Sequence, residues 1–314
     1  MPYSSFAALL EDAARENMSL AECVQSREAA DSDISPGEVR ARLAEALEVM
    51  KAAIKAGSAP DIKSRTGLTG GDAAQLFKNA NDPDAANVVG ARFTHILAAS
   101  IATVELNAAM GRIVAAPTAG ASGVLPGVFL SLRHEHELTD DQLIDGLLIA
   151  GAIGACFAST ATLSGAAGGC QAEIGTAAAM TAAAVAYMLG SPTARCADTT
   201  DGDPARLAES IEAFNESVSH AASFAMQGQL GLVCDPVAGL VEVPCIARNA
   251  TGAAVALAGA QMALAGLKFP IPFDEVVEAA SRVGAAIPPS LRETAKGGLA
   301  ITKTAKQIAK DLQS

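Results

Sequence analysis

The sequence predicts an all-α fold, a compact Ala/Gly-rich helical domain whose irregular loops lie between helices. Three observations lead there. Apolar residues recur at helical spacing along most of the 314 residues. Helix start and stop signals recur with them. Strand-like alternation is confined to short runs such as Val241-Glu242-Val243.

Taken in order, residues 1–35 read as an N-terminal helical extension, with Leu20 to Pro36 an acidic connection, and 36–314 as the main helical domain. The first strong helix is SPGEVRARLAEALEVMKAAIKAG. Ser35 suits its N-cap, Pro36 its first turn and Glu38 a capping box, and Gly57 stands at the C-terminal stop. Val39, Leu43, Leu47, Met50 and Ile54 form its apolar stripe. Further helices are expected from Asp84 to Met110, from a Thr139/Gln142 capping box to about Ser159, and through GTAAAMTAAAVAYML. Others follow over Pro204 to Met226, Ala250 to Gly266 and Phe273 to Ala285. Between them lie SRTGLTGGDA, GRIVAAPTAGASGVLPG, TLSGAAGGCQAE, GLVCDPVAGLVEVPCIARNATG and RETAKGGLA, all rich in Gly, Pro or Thr. Loops held by rigid helices are where chemistry concentrates.

Composition excludes several classes. A formal net charge of -12 without any basic run argues against a nucleic-acid surface. Leu147 to Ala172 and Ile174 to Ala194 carry no charge and are long enough to span a bilayer. They consist largely of Ala, Gly, Ser and Thr, with no aromatic belt or basic flank, so buried helices are expected instead. The N-terminus has acids early and no basic region before an apolar core, which predicts a cytoplasmic protein without a signal peptide.

In a reducing compartment the six cysteines are expected as free thiols, metal ligands or redox groups. Cys156 sits in the apolar run AGAIGACFAST and reads as a small buried hydrophobe. Cys23 and Cys196 lie among polar residues with no partner spacing. Cys170, Cys234 and Cys245 differ, each falling in a loop beside Gly or Pro. The stretch between Cys234 and Cys245 contains Pro236, Gly239 and Pro244, which breaks any continuous helix and lets its ends approach. A labile disulfide, a zinc site lacking its fourth ligand and short C-x-x-C knuckles, and a cubane iron-sulfur cluster with one open iron all remain open on spacing alone.

Five segments in order, TGLTGGDA, ELNAAMGRIVAAPTAGASGVLPG, SGAAGGCQAEIGTAAAM, GLVCDPVAGLVEVPCIARNA and RETAKGGLA, together resemble the iron-sulfur L-serine dehydratases. The likeness runs from about Leu20 to Leu299 and is to the alpha chain of the two-chain form. The resemblance implies cluster-binding loops between the helices, with Cys170, Cys234 and Cys245 as ligands of a 4Fe-4S cluster whose open iron binds L-serine. Gly168 and Gly169 would let backbone approach the cluster, and Glu173 reads as a helix-start carboxylate rather than a catalytic group. Substrate contacts are expected from Gly70, Gly71, Asn107, Thr118, Ala119, Gly120 and Ser122. None of the four histidines, His95, His134, His136 and His220, falls within these motifs. Single-chain relatives carry a Ser-Ser-His-Thr motif thought to contribute the base. That motif is absent here, which implies a beta-chain partner in a hetero-oligomer, with Lys296 and Glu105 as in-chain candidates. The tail cysteine by which some relatives occupy the open iron is also missing, and some relatives require a monovalent cation. Three rivals stay in view: an L-cysteine desulfidase with a similar cluster, a non-catalytic iron-sulfur module for electron transfer or sensing, and a pyridoxal-phosphate enzyme with Lys296 as its Schiff base.

Overall fold

The computed structural model describes residues 5–190 and 204–313. Cys196 lies outside the described residues, as does the C-terminal end of the second uncharged stretch. Thirteen α-helices and five short 3-10 turns make up the described chain, and its only β pairing is an isolated bridge between Cys234 and Arg292. The all-α expectation holds, and Val241 to Val243 forms no strand.

Helices α1 (Phe6–Glu16) and α2 (Leu20–Ser32) open the chain. The expected connection after Leu20 is instead mostly helix. Ser19 and Glu22 close a reciprocal capping box, and Leu20, Ala21, Cys23 and Val24 are buried. Both helices join the main core. Phe6 meets Phe273 edge-to-face at 5.7 Å, Phe273 meets Phe157 at 5.8 Å, and Asp274 accepts the Phe6 and Ala7 amides at 2.9 and 3.1 Å.

Helix α3 (Pro36–Gly57) begins as expected at Ser35, whose hydroxyl accepts from the Glu38 amide at 3.1 Å. Only this half of the capping box forms. Gly57 serves a different purpose from a left-handed cap: a Cβ there would stand 1.8 Å from the Ala102 carbonyl oxygen, so the glycine lets two helices touch backbone to backbone. The helix expected from Asp84 to Met110 begins only at Ala91, as α5 (Ala91–Ala108), and a short α4 (Asp72–Asn81), not expected from the sequence, precedes it.

Helices α6 (Val124–His136) and α7 (Asp140–Thr160) come next, α7 starting at the Thr139/Gln142 box. The one-turn α8 (Gly165–Gly168) leads to α9 (Ile174–Leu189), and then to α10 (Pro204–Gln227), α11 (Cys245–Leu264), α12 (Phe273–Ala286) and α13 (Lys303–Asp311). Helix α9 is the axis of the molecule, packed by α6, α7, α10 and α11 and buried on every side. That is why its sequence is mostly Ala, Gly and Thr: small side chains allow neighbours on all faces. Asp140–Thr160 and Cys170–Leu189 are long and apolar enough to cross a membrane by length and composition alone, yet 67% and 83% of their apolar windows lie buried inside the protein.

Candidate functional site

Cys170 opens a 3-10 turn (Cys170–Ala172) at the entrance to α9. Gly169 before it has φ 74° and ψ -179°, a conformation open essentially to glycine alone, and a Cβ would lie 2.8 Å from the Leu232 carbonyl oxygen. Gln171, 2% exposed, clasps the turn to its neighbours. Its Nε2 donates to the Ala280 carbonyl at 2.7 Å, its Oε1 accepts from the Gly231 amide at 2.7 Å, and its own amide donates to the Leu232 carbonyl at 3.0 Å. The second cysteine loop is thereby brought beside the first.

Cys234 is extended and paired with the C-terminal segment. Its amide donates to the Leu291 carbonyl at 2.8 Å, and its carbonyl accepts from the Glu293 amide at 2.7 Å. Cys245 is the first residue of α11. One turn on, the fully buried Asn249 donates through Nδ2 to the carbonyls of Cys245 at 2.9 Å and Gly120 at 2.7 Å, and accepts through Oδ1 from the Gly123 amide at 2.9 Å. The loop APTAGASG is fixed to the third cysteine by this one side chain. Asn249→Ala is expected to lower stability by about 2 to 3 kcal/mol, because buried backbone groups lose their partners. Denaturant melts of the variant check this.

The three thiols are buried and free. The neighbouring Cys234 thiol holds the Cys170 thiol below its ordinary range despite burial, with further help from the Arg248 cation. The Cys234 thiol is driven up by its neighbour Cys170 and by burial. Burial, then the charges on Cys170 and Glu173, push Cys245 up to about 12. Arg248 also donates to the Val233 carbonyl and to Asp235 Oδ1, both at 2.8 Å, while Asp235 Oδ2 accepts the Leu299 amide at 2.7 Å. The RETAKGGLA loop is strapped to the cysteines through this pair.

Glu173 departs from the helix-start role expected of it. It makes no cap bond to α9. Thr118 Oγ1 donates to its Oε1 at 2.8 Å, the Cys234 thiol points at its Oε2 from 4.0 Å, and burial raises its carboxyl above the usual range. Thr118 is thus spent on Glu173. Ala119 and Gly120 form the adjacent 3-10 turn, and the buried Ser122 hydroxyl has no hydrogen-bond partner.

Other expected residues lie elsewhere. Gly70 and Gly71 sit in the left-handed turn before α4, and Glu105 caps that helix, accepting the Asp72 and Ala73 amides at 2.8 and 3.2 Å. Both carboxylate oxygens of Glu105 are engaged in this cap. Asn107 is half-buried in the last turn of α5, and Lys296 is exposed. His95 packs on Phe77, His134 and His136 are exposed at the end of α6, and His220 lies on α10. The TGLTGG turn reaches the site through Glu242, which accepts from Thr66 and Thr69 at 2.8 and 2.7 Å. Arg248, Asn249 and Glu242 went unread in the sequence. The first two stand three and four residues after Cys245, one helical turn from it, which was the available signal.

Among the described residues, no three His, Cys, Asp or Glu side chains close around a single metal ion. A cluster makes a different demand, because each thiolate binds its own iron. Soft, unpaired thiols from three separate segments, with glycines close by and one part-buried cation beside them, suit that demand chemically.

The sequence matches the family described as Serine dehydratase alpha chain over residues 15–201 and 204–300. The chain belongs to this family. A probable L-serine dehydratase alpha chain of Bacillus subtilis is 43% identical, covering 85% of this chain and 80% of that one. The L-serine dehydratase alpha chain of Peptoniphilus asaccharolyticus is 37% identical over 92% of this chain and 90% of its own length. A longer L-serine dehydratase of Mycobacterium bovis is 36% identical over 96% of this chain, which spans 61% of it. The resemblance read from the five motifs therefore stands, and every motif quoted for it lies within the matched residues.

Proposed function

We propose that this serine dehydratase family member is the alpha chain of an L-serine ammonia-lyase, converting L-serine to pyruvate and ammonia with a 4Fe-4S cluster held by Cys170, Cys234 and Cys245. The observation that carries the reading is that three free, buried cysteines, at the entrances to α9 and α11 and in the extended segment at Cys234, lie close enough for their charges to act on one another. Such a cluster would supply Lewis acidity through the iron that has no protein ligand. The chain's own residues do the rest. Arg248 offsets the negative charge that thiolates gather in a dry site, and Asp235 fixes its direction. The Ser122 hydroxyl, without a partner on the loop 116–123 that Asn249 pins, is left for a substrate carboxylate. Gly169 lets the Cys170 turn pack on the Leu232 carbonyl, and Gly165 keeps a side chain off Cys234, whose Sγ an added Cβ would approach to 3.3 Å.

The general base comes from a beta chain in this proposal. Both in-chain candidates have other circumstances, Glu105 as a helix cap and Lys296 in solvent. The test is pyruvate formation from L-serine under anaerobic conditions, with and without a co-expressed beta chain. Turnover is expected only with both chains and is lost in air. Faster turnover of L-cysteine than L-serine would replace this reading with desulfidation. Turnover that survives air and is stopped by borohydride would point to pyridoxal phosphate at Lys296.

A further inference from the structure

The carboxylates around the cysteines can be sorted by what their oxygens already bind. Asp235 gives one oxygen to Arg248 and the other to the Leu299 amide. Glu242 gives one each to Thr66 and Thr69, and Glu105 one each to two amides of α4. Glu173 differs from them. Its Oε1 takes the Thr118 hydroxyl at 2.8 Å, but its Oε2 faces only the Cys234 thiol, at 4.0 Å. A thiol that ligates iron gives up its proton, so on the proposed cluster that single long contact disappears as well. The close approach of backbone to this oxygen requires a glycine: a Cβ on Gly165 would stand 2.5 Å from Glu173 Oε2. The residue is only half-buried, so something arriving from outside can reach it.

We propose that Glu173, aimed by Thr118, is the ammonium-binding residue of the site, accepting the α-amino group of the substrate amino acid. This rests on the function proposed above. The chemistry supports it, since an amino acid brings one cation and one carboxylate into a buried site, and each needs a partner of opposite charge. A carboxylate with one unfilled oxygen, held beside Cys234, satisfies the cation and leaves the substrate's oxygens for other groups. It also makes the site selective for amino acids over hydroxy acids of the same shape, because a site built for a donor rejects the analogue that lacks it.

The experiment compares Glu173→Gln and Glu173→Asp with the parent in the alpha-beta holoenzyme. With iron and sulfide content unchanged, Glu173→Gln is expected to raise KM for L-serine by more than about tenfold, with a smaller change in kcat. Inhibition by 3-hydroxypropanoate, which is serine without its amino group, should change less than about twofold, and Glu173→Asp should recover part of the loss. L-alanine binding followed by calorimetry, which needs no turnover, should weaken in step with KM. Unchanged KM and alanine binding would overturn the proposal. Loss of iron in both variants while the parent keeps it would overturn it too, making Glu173 a support for the cysteine loops and leaving the proposed function standing. A parent without iron whose alanine binding still depends on Glu173 would remove the cluster mechanism and keep the ammonium site.

Discussion

Replacing Cys170, Cys234 or Cys245 by alanine, one at a time, is expected to abolish iron and acid-labile sulfide retention after anaerobic reconstitution. The parent chain is expected to hold about four of each. A cubane held at three corners loses a third of its protein ligands with each change, and the thiols stand on three different loops, so no neighbour takes over. Folding should survive. Deleting one buried sulfur removes little volume, and the cost is about 1 kcal/mol, small beside ordinary domain stability. Circular dichroism and thermal melts separate the two effects. Cys23→Ala and Cys156→Ala are the controls. Cys156 is buried on α7 among apolar neighbours, which pushes its thiol up to about 12, and Cys23 is buried on α2. Both variants should keep their iron. Full iron content in any of the three site variants would end the three-thiolate proposal.

Gly169→Ala is expected to have the second large effect. The backbone there takes φ 74° with ψ -179°, and an added Cβ would meet the Leu232 carbonyl oxygen at 2.8 Å and Ile287 Cδ1 at 2.7 Å. Ile287 can shift, but the carbonyl is fixed because it accepts the Gln171 amide. Conformational strain of about 1 to 3 kcal/mol and a backbone clash then act together. The turn should rotate to relieve them, moving Cys170 away from Cys234. Chemical denaturation should show destabilisation of about 3 kcal/mol, and reconstituted iron should fall with it. Gly67→Ala is the matched comparison: φ is 74° there too, but a Cβ would meet nothing within 4 Å. An equal loss in both variants would mean that backbone strain alone, rather than the approach to Leu232, sets the effect.

Much of this was legible in the sequence where a local rule decides the outcome. Ser35 and the Thr139/Gln142 pair start their helices, and an uncharged run rich in Ala and Gly becomes the buried axis α9. The cysteine loops were legible as loops because Gly and Pro mark them. What escaped depends on partners far along the chain. Gly57 looked like a stop signal, yet its reason is the Ala102 carbonyl on another helix. Glu105 sits in a motif with Asn107 and looked like chemistry, yet it caps α4, whose N-terminus arrives from more than thirty residues upstream. Glu173 was the reverse case. Its position just before α9 suggested a cap, but Thr118 turns it toward the cysteines instead. Periodicity and capping rules describe neighbours in sequence, and these three residues answer to neighbours in space.

The pairing of Cys234 with Leu291 and Glu293, together with the bond from the Leu299 amide to Asp235, has a bearing on biosynthesis. Cys170, Cys234 and Cys245 all leave the ribosome well before residues 291–299 do. Until that segment follows, the backbone of Cys234 has no partner and Asp235 lacks its second donor. A nascent chain, or one clipped by a protease ahead of Leu291, presents this thiol on an unfinished loop. Synthesis of residues 291–299 is therefore what lets the Cys234 loop close, so the order of the chain sets the order in which the thiols come together.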